Sequence, residues 1–196
     1  MRPNRDQALE LLKKYNKEES HIHHALAVEG TMRHFARLAD AAGTLPAGED
    51  EELWGVVGLL HDIDWEQTAE TPERHCHVAP EMLREAGVDE DIIHAVVSHG
   101  YGICADVEPS SAMERTLFTV DELTGLVITA GLVRPSRSLA DLELKSVKKK
   151  WKDKAFARGV NREVIKEGAE RMGMPLDTVI DETIKALRPI EKQIGM

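Results

Sequence analysis

The chain is 196 residues long, carries a formal net charge of −10, and is 42% hydrophobic but only 4% aromatic. That length suits one domain able to bury a core, and the acidic balance argues against nucleic-acid binding by the surface as a whole. No apolar run reaches the roughly 18 residues of a membrane span, and Met1-Arg2-Pro3-Asn4-Arg5-Asp6 leads straight into an amphipathic pattern with no apolar signal region.

Ala, Leu, Glu and Lys dominate and no alternating strand pattern of useful length occurs, so an all-α fold is expected. A first helix runs from Asn4, its N-cap, to Tyr15, with Ala8, Leu9 and Leu12 as its apolar face. Ser20 caps a second helix reaching about Ala42, whose stripe His24, Ala27/Val28, Thr31, Phe35, Leu38/Ala39 turns His24 inward. Gly43 ends it, and Pro46-Ala47-Gly48 makes a loop. Glu49 to His61 forms a third helix, in which Gly55 and Gly58 allow another backbone to come close. Thr71 to Ala86 reads as a helix opened by Pro72 and closed by Gly87, and Glu90 to His99 as another, with stripe Ile92, Val96, His99. A longer helix from Ser110 to about Thr129 has the stripe Met113, Leu117, Asp121, Thr124, Ile128. Leu139 to Phe156 is a basic amphipathic segment packing through Val147, Trp151 and Ala155. Asn161 caps a helix to Met172, and a last one runs to about Ile194 with a kink at Pro189.

Chemistry concentrates early in this order. All nine histidines fall between His21 and His99, a clustering that marks a site. The apolar run Leu53 to Leu60 ends abruptly in His61-Asp62, and Asp121 stands in the middle of an apolar helix face. Buried imidazoles and carboxylates are costly unless paired or bound to metal. The blander alternatives are a histidine near the negative end of a helix dipole for His61 and a buried salt-bridge partner for Asp121. His24, His61, Asp62 and Asp121 on three inward faces outweigh them, and suit a divalent ion of the Mn, Fe or Zn kind, with Mg less favoured by nitrogen donors.

The local phrases His24-Ala25-Leu26-Ala27-Val28-Glu29, Leu59-Leu60-His61-Asp62-Ile63-Asp64 and Val120-Asp121-Glu122-Leu123-Thr124-Gly125 give the pattern H…HD…D. This resembles the HD-domain superfamily of metal-dependent phosphohydrolases, in its small, stand-alone prokaryotic form, over about residues 20–130. The resemblance implies one all-helical domain over residues 1–196, with an HD core and C-terminal helices from about 138 packed on it. It implies a catalytic centre at His61 and Asp62, and metal ligation by His24, His61, Asp62 and Asp121. Some branches add two histidines and a second ion. His75 and His99 occupy matching places, with His77 a rival to His75 and Asp62 as the bridge between one or two divalent ions.

Of the other histidines, His21 could line the cleft, while His23, His34 and His94 read as surface or core-edge residues. Glu29, Asp64, Glu66 and Glu122 lie near ligands in sequence and could orient them. Cys76 and Cys104 read as unpaired thiols, and two cysteines make no disulfide framework, so a reduced, cytoplasmic setting is expected. The basic run Lys145 to Lys154 is either a solvated face or a positive rim binding a phosphorylated substrate through Lys145, Lys148 and Lys149, with Arg134, Arg137 and Arg158 as helpers. Its shortness and its single aromatic, Trp151, argue against nucleic acid as the ligand. A small phosphorylated substrate is therefore the expected partner. Three functions compete: a phosphohydrolase acting on a nucleotide or other phosphorylated metabolite, a di-iron oxygenase of the inositol-oxygenase-like branch, and a non-enzymatic sensor of a phosphorylated ligand.

Overall fold

Local capping explains where the first helices begin. In the computed structural model, which describes residues 1–153 and 155–196, α1 (Arg5–Tyr15) opens with a capping box in which Asn4 and Gln7 satisfy each other's backbone N–H groups. Helix α2 (Glu19–Ala41) starts before the expected Ser20 cap, at Glu18, which makes no side-chain cap bond. Glu66 supplies the missing acceptor from elsewhere in the chain, taking the N–H groups of Lys17 and Glu18, both at 2.8 Å. Helix α3 (Glu51–Leu60) is capped by Asp50 through the Leu53 N–H at 2.8 Å.

Helices α2 and α3 are packed closely along their length. A Cβ on Gly58 would come within 3.0 Å of the Glu29 backbone, so glycine is what lets the two helices approach. That contact places His24 on α2 opposite His61 at the end of α3. Glu29 itself holds Arg5 and Arg33 in a buried ionic network at 2.6 and 2.9 Å, binding α1 to the pair.

After His61 the chain makes a tight turn into α4 (Trp65–Thr68). The expected helix over Thr71 to Ala86 is broken in two: a 3-10 turn at Pro72–Arg74, then α5 (Ala79–Glu85). Between them Cys76 takes φ 67, a left-handed conformation no α-helix can contain. Helices α6 (Glu90–Ser98) and α7 (Ala112–Leu132) follow, the latter opened by a Ser111/Glu114 capping box. The basic helix α8 is shorter than expected, Leu144–Trp151, and Ala155 is exposed rather than packed. Lys154 of the same run lies outside the described residues. Helix α9 (Arg162–Arg171) is capped by Asn161. Helix α10 (Leu176–Leu187) stops before Pro189, which sits in a 3-10 turn at Arg188–Ile190 instead of a kinked helix. Proline's missing N–H and its ring end the α-helical ladder there.

The fold is all-α; among the described residues the sole β feature is an isolated bridge between Tyr101 and Ala105. A continuous apolar cluster joins Ala8 on α1, Phe35 on α2, Leu59 on α3, Leu123 on α7 and Ile184 on α10. Helices α9 and α10 pack on α7, and α10 also on α2. Among the described residues no helix is long and apolar enough to cross a membrane.

Candidate metal centre

Four donors predicted from the sequence converge from α2, the α3 terminus and α7. The His24 Nε2 atom lies 2.9 Å from Asp121 Oδ1 and 3.1 Å from His61 Nε2. Asp62 Oδ2 is 3.3 Å from His61 Nε2 and 3.5 Å from His24 Nε2. The other oxygen of Asp62 faces a second group. Its Oδ1 is 3.2 Å from His75 Nε2 and 3.5 Å from His99 Nε2, and those two nitrogens are 3.1 Å apart. In each group the donor atoms lie within 4.8 Å of one another. One carboxylate thus stands between two donor sets, one oxygen turned to each.

The ring orientations are fixed by what sits behind them. His61 Nδ1 donates to the Gly58 carbonyl at 2.8 Å, and His99 Nδ1 donates to the Val96 carbonyl. His75 Nδ1 donates to Asp64 Oδ1 at 2.9 Å. A carbonyl can only accept, so His61 and His99 each carry an N–H on Nδ1, and their Nε2 atoms face the other donors. This is the arrangement usual for metal-binding imidazoles. Two imidazole nitrogens about 3 Å apart repel unless a proton or a cation sits with them, and both sets combine imidazole nitrogens with carboxylate oxygens, donors that a divalent ion such as Zn takes. The donor set therefore fits a divalent ion at either position.

Asp64, wholly buried, does more than hold His75. Its Oδ2 accepts from the N–H groups of Val78 and Ala79 at 3.2 and 2.9 Å, so one carboxylate caps α5 and orients a ligand ring. Asn16 is a further support that no sequence signal marked. Its side-chain amide is buried and donates to the Ile63 carbonyl at 2.9 Å, pinning the turn that carries Asp62.

Without a metal, the carboxylates of the site favour the protonated forms of His61 and His75. Burial disfavours charge on His75, but its hydrogen bonds to Asp62 and Asp64 outweigh this and hold it at about 10. Burial works the same way on His61, and the charges of Asp62 and Asp121 overcome it, raising His61 well above its ordinary value. Burial would raise Asp121, yet its histidine partners His24 and His61 hold it below the usual carboxylate range. Because the folded value of His75 lies above the reference of about 6.5, its contribution to stability is fully present below that pH and is lost as pH climbs through about 10. Chelator-treated protein should therefore melt at lower temperature at pH 10.5 than at pH 8. Metal binding at neutral pH should release protons, read as a dependence of calorimetric heat on buffer ionisation enthalpy. Equal melting temperatures and buffer-independent heats would show that His75 is neutral in the metal-free protein.

His24, Asp62, His75, His99 and Asp121 line a cleft of about 550 Å³, walled also by Ser20, His21, Trp65, Ile103, Glu122 and Val160, with His61 wholly buried behind it. His21 lines the cleft and pairs with Glu66 at 2.9 Å. Burial, then the neighbouring Asp121, raises the Glu122 carboxyl. His77 turns away and donates to the Cys104 carbonyl at 2.7 Å, so His75 is the donor that reaches the cluster. His34 and His94 pair with Glu182 and Glu114, both at 2.7 Å, away from the cleft, and Glu29 belongs to the α1–α2 network. Among the described residues no lysine or arginine lines the cleft. Lys148 is paired with Asp177 and Lys145 with Glu143, and Lys149 is exposed on α8, so the expected positive rim is not part of the cleft wall. Replacing Lys148 and Lys149 by alanine should leave metal content unchanged and shift apparent substrate affinity less than about threefold at physiological salt, where exposed charges are screened. A tenfold loss would return them to substrate binding.

Fold and site together define an all-α protein carrying adjoining His/Asp groups able to hold metal. Among curated proteins it is similar to Ribonuclease Y of Enterococcus faecalis, 28% identical over 172 residues, which are 85% of this chain and 31% of that protein. Ribonuclease Y of Staphylococcus epidermidis is 30% identical over 141 residues, 69% of this chain and 26% of that protein. Ribonuclease Y of Bacillus thuringiensis is 28% identical over 172 residues, with the same 85% and 31% coverage as the first. The chain thus spans about a third or less of the length of these relatives. No family model matches the chain, and no solved structure matches it.

Proposed function

We propose that the chain is a single-domain, cytoplasmic metal-dependent phosphohydrolase of the HD superfamily, hydrolysing a phosphate ester of a nucleotide or other small phosphorylated metabolite. The observation that carries this reading is the carboxylate of Asp62, set between His24/His61/Asp121 on one oxygen and His75/His99 on the other. The name of the relatives, Ribonuclease Y, points to a phosphodiester as one ester within that class.

In this reading His24, His61, Asp62 and Asp121 hold one divalent ion, and Asp62, His75 and His99 hold a second. Bound there, Mn, Fe or Zn supplies Lewis acidity toward a phosphoryl oxygen and acidifies a water. The chain's own residues supply position and proton handling. Asp64 locks the His75 ring, and the Gly58 and Val96 carbonyls lock His61 and His99. Glu122, raised by burial and by Asp121, is the cleft group suited to hold a proton for a leaving alkoxide. Trp65, Ile103 and Val160 offer apolar walls for the organic part of the ester.

The test is elemental analysis of protein purified without chelator, joined to hydrolysis of bis(p-nitrophenyl) phosphate before and after chelation and Mn readdition. Two irons without hydrolysis would favour the oxygenase reading, which the same bridged donor set also suits. Metal bound with no turnover of any phosphate ester would favour a sensor. His99→Ala should lower the ion content from about two to about one and spare the His24 group, because His99 belongs to the Asp62/His75/His99 set and not to the His24 set. An unchanged count in that variant would end the two-ion reading.

A further inference from the structure

We propose that Cys76 and Cys104 are a redox modification site, which a peroxide converts to an intramolecular disulfide that disables the Asp62/His75/His99 donor set. The two sulfurs lie 3.6 Å apart, from segments 28 residues apart in the chain. Both crowd the same spot on the backbone: a Cβ on Gly100 would sit 2.7 Å from each sulfur, so any residue but glycine there would split the pair. Cys76 reaches that spot from a left-handed backbone, φ 67, which a residue with a side chain rarely adopts. Its segment and that of Cys104 are also tied by the His77 ring and the Cys104 carbonyl at 2.7 Å.

Access and consequence follow from the same positions. Cys104 lines the cleft and is partly exposed, while Cys76 is fully buried behind it. Cys104 therefore meets the oxidant first. Its sulfur attacks a peroxide oxygen, the O–O bond breaks, and Cys104 becomes a sulfenic acid with release of one water. The Cys76 sulfur then attacks Cys104, the S–S bond forms as the S–O bond breaks, and the hydroxyl leaves as a second water with the Cys76 proton. Two electrons pass from the thiols to the peroxide.

A disulfide requires the sulfurs to close to about 2.05 Å. The Cys76 sulfur now rests 3.8 Å from both ring nitrogens of His99, and Cys76 directly follows His75. Gly100, packed beside the sulfurs, directly follows His99. Closing the gap thus moves backbone next to both histidines of one donor set. The His24/His61/Asp121 side is built on α2, α3 and α7 and is not touched. The disulfide stands on the thiol geometry alone, whereas its effect on metal rests on the reading given under the proposed function.

Metal-loaded protein is treated with a small excess of hydrogen peroxide, desalted, and examined by thiol titration, by non-reducing peptide mapping and by elemental analysis. The expected result is loss of both thiols, a linked Cys76–Cys104 peptide pair lighter by about 2 Da, and reversal by dithiothreitol. Metal content should fall by about one ion per chain and be retained by Cys104→Ser under the same treatment. A disulfide between two chains, oxygen addition without the linked pair, or retention of both thiols would overturn the modification site. A linked pair with the full metal content would overturn its effect on the donor set. If the untreated protein holds fewer than two ions, the metal reading fails by itself, and the thiol and peptide measurements still decide the disulfide.

Discussion

Asp62→Ala is expected to deplete both donor sets at once, lowering bound metal from about two ions to less than about 0.2 per chain. Activity toward bis(p-nitrophenyl) phosphate should fall more than about 100-fold, since loss even of groups that only orient metal ligands costs 10–100-fold. The size of the effect follows from position. Asp62 faces His24 and His61 with one oxygen and His75 and His99 with the other, and among the described residues no other side chain belongs to both sets. Removing its charge also leaves His61 and His75, which burial already pushes toward neutrality, without a counter-charge that holds them protonated in the metal-free protein. The fold should survive, because Asp62 sits in the turn after α3 at the cleft wall, outside the apolar cluster. Far-ultraviolet circular dichroism should match the parent protein. Undiminished metal in this variant would show that Asp62 is structural and would remove the basis of the proposed function.

Asp64→Ala should produce the largest loss of stability among the site variants. The parent carboxylate has no exposed surface and accepts three bonds, from His75 Nδ1, Val78 N–H and Ala79 N–H. Each buried donor left without an acceptor costs about 1–3 kcal/mol, and partial access to water through the opened space keeps the sum near the low end, about 3 kcal/mol. For a chain of this size that is a fall in Tm of roughly 6–12 °C. Metal should be lost selectively. His75 loses the partner that fixes its ring, so affinity at the Asp62/His75/His99 position drops about 10–100-fold while the His24 position stays filled. Asp64→Asn should rescue stability in part but not the second ion, because its amide oxygen can keep the Val78 and Ala79 N–H bonds while its NH₂ faces the His75 Nδ1–H. A variant with parental Tm and both ions in place would show that Asp64 neither caps α5 nor orients His75 in solution.

Much of this protein was legible in its sequence because helices write their buried face into the chain at a fixed period. His24 falls on the stripe of Ala27, Val28, Thr31 and Phe35, and Asp121 on that of Met113, Leu117 and Thr124, so their inward direction needs no coordinates. The abrupt end of an apolar run at His61-Asp62 likewise marks a polar pair at the edge of a core. Asn4 and Asn161 start helices through bonds that span only a few residues, and α7 starts from Ser111, one residue beyond the expected Ser110.

Other features depend on segments far apart in sequence. Helix α2 begins before Ser20, where Glu66, 48 residues beyond Glu18, fixes the entry to the helix by accepting the N–H groups of Lys17 and Glu18. The choice of His75 over His77 is made in an irregular stretch with no period, where the Cys76 backbone and the bond to Asp64 aim one ring inward and the Cys104 carbonyl draws the other away. The lysines of α8 are periodic and basic, yet packing turns that face toward Asp177 and solvent. The sequence by itself determined the all-α class, most of the helices and the inward faces that carry His24 and Asp121, because those rest on local periodicity and short-range bonds. Only the tertiary structure decided that one oxygen of Asp62 meets each donor set, that Asp64 serves a ring and a helix together, and that two thiols share the space beside Gly100. Those relations are distances between side chains on different elements, fixed by how the helices pack.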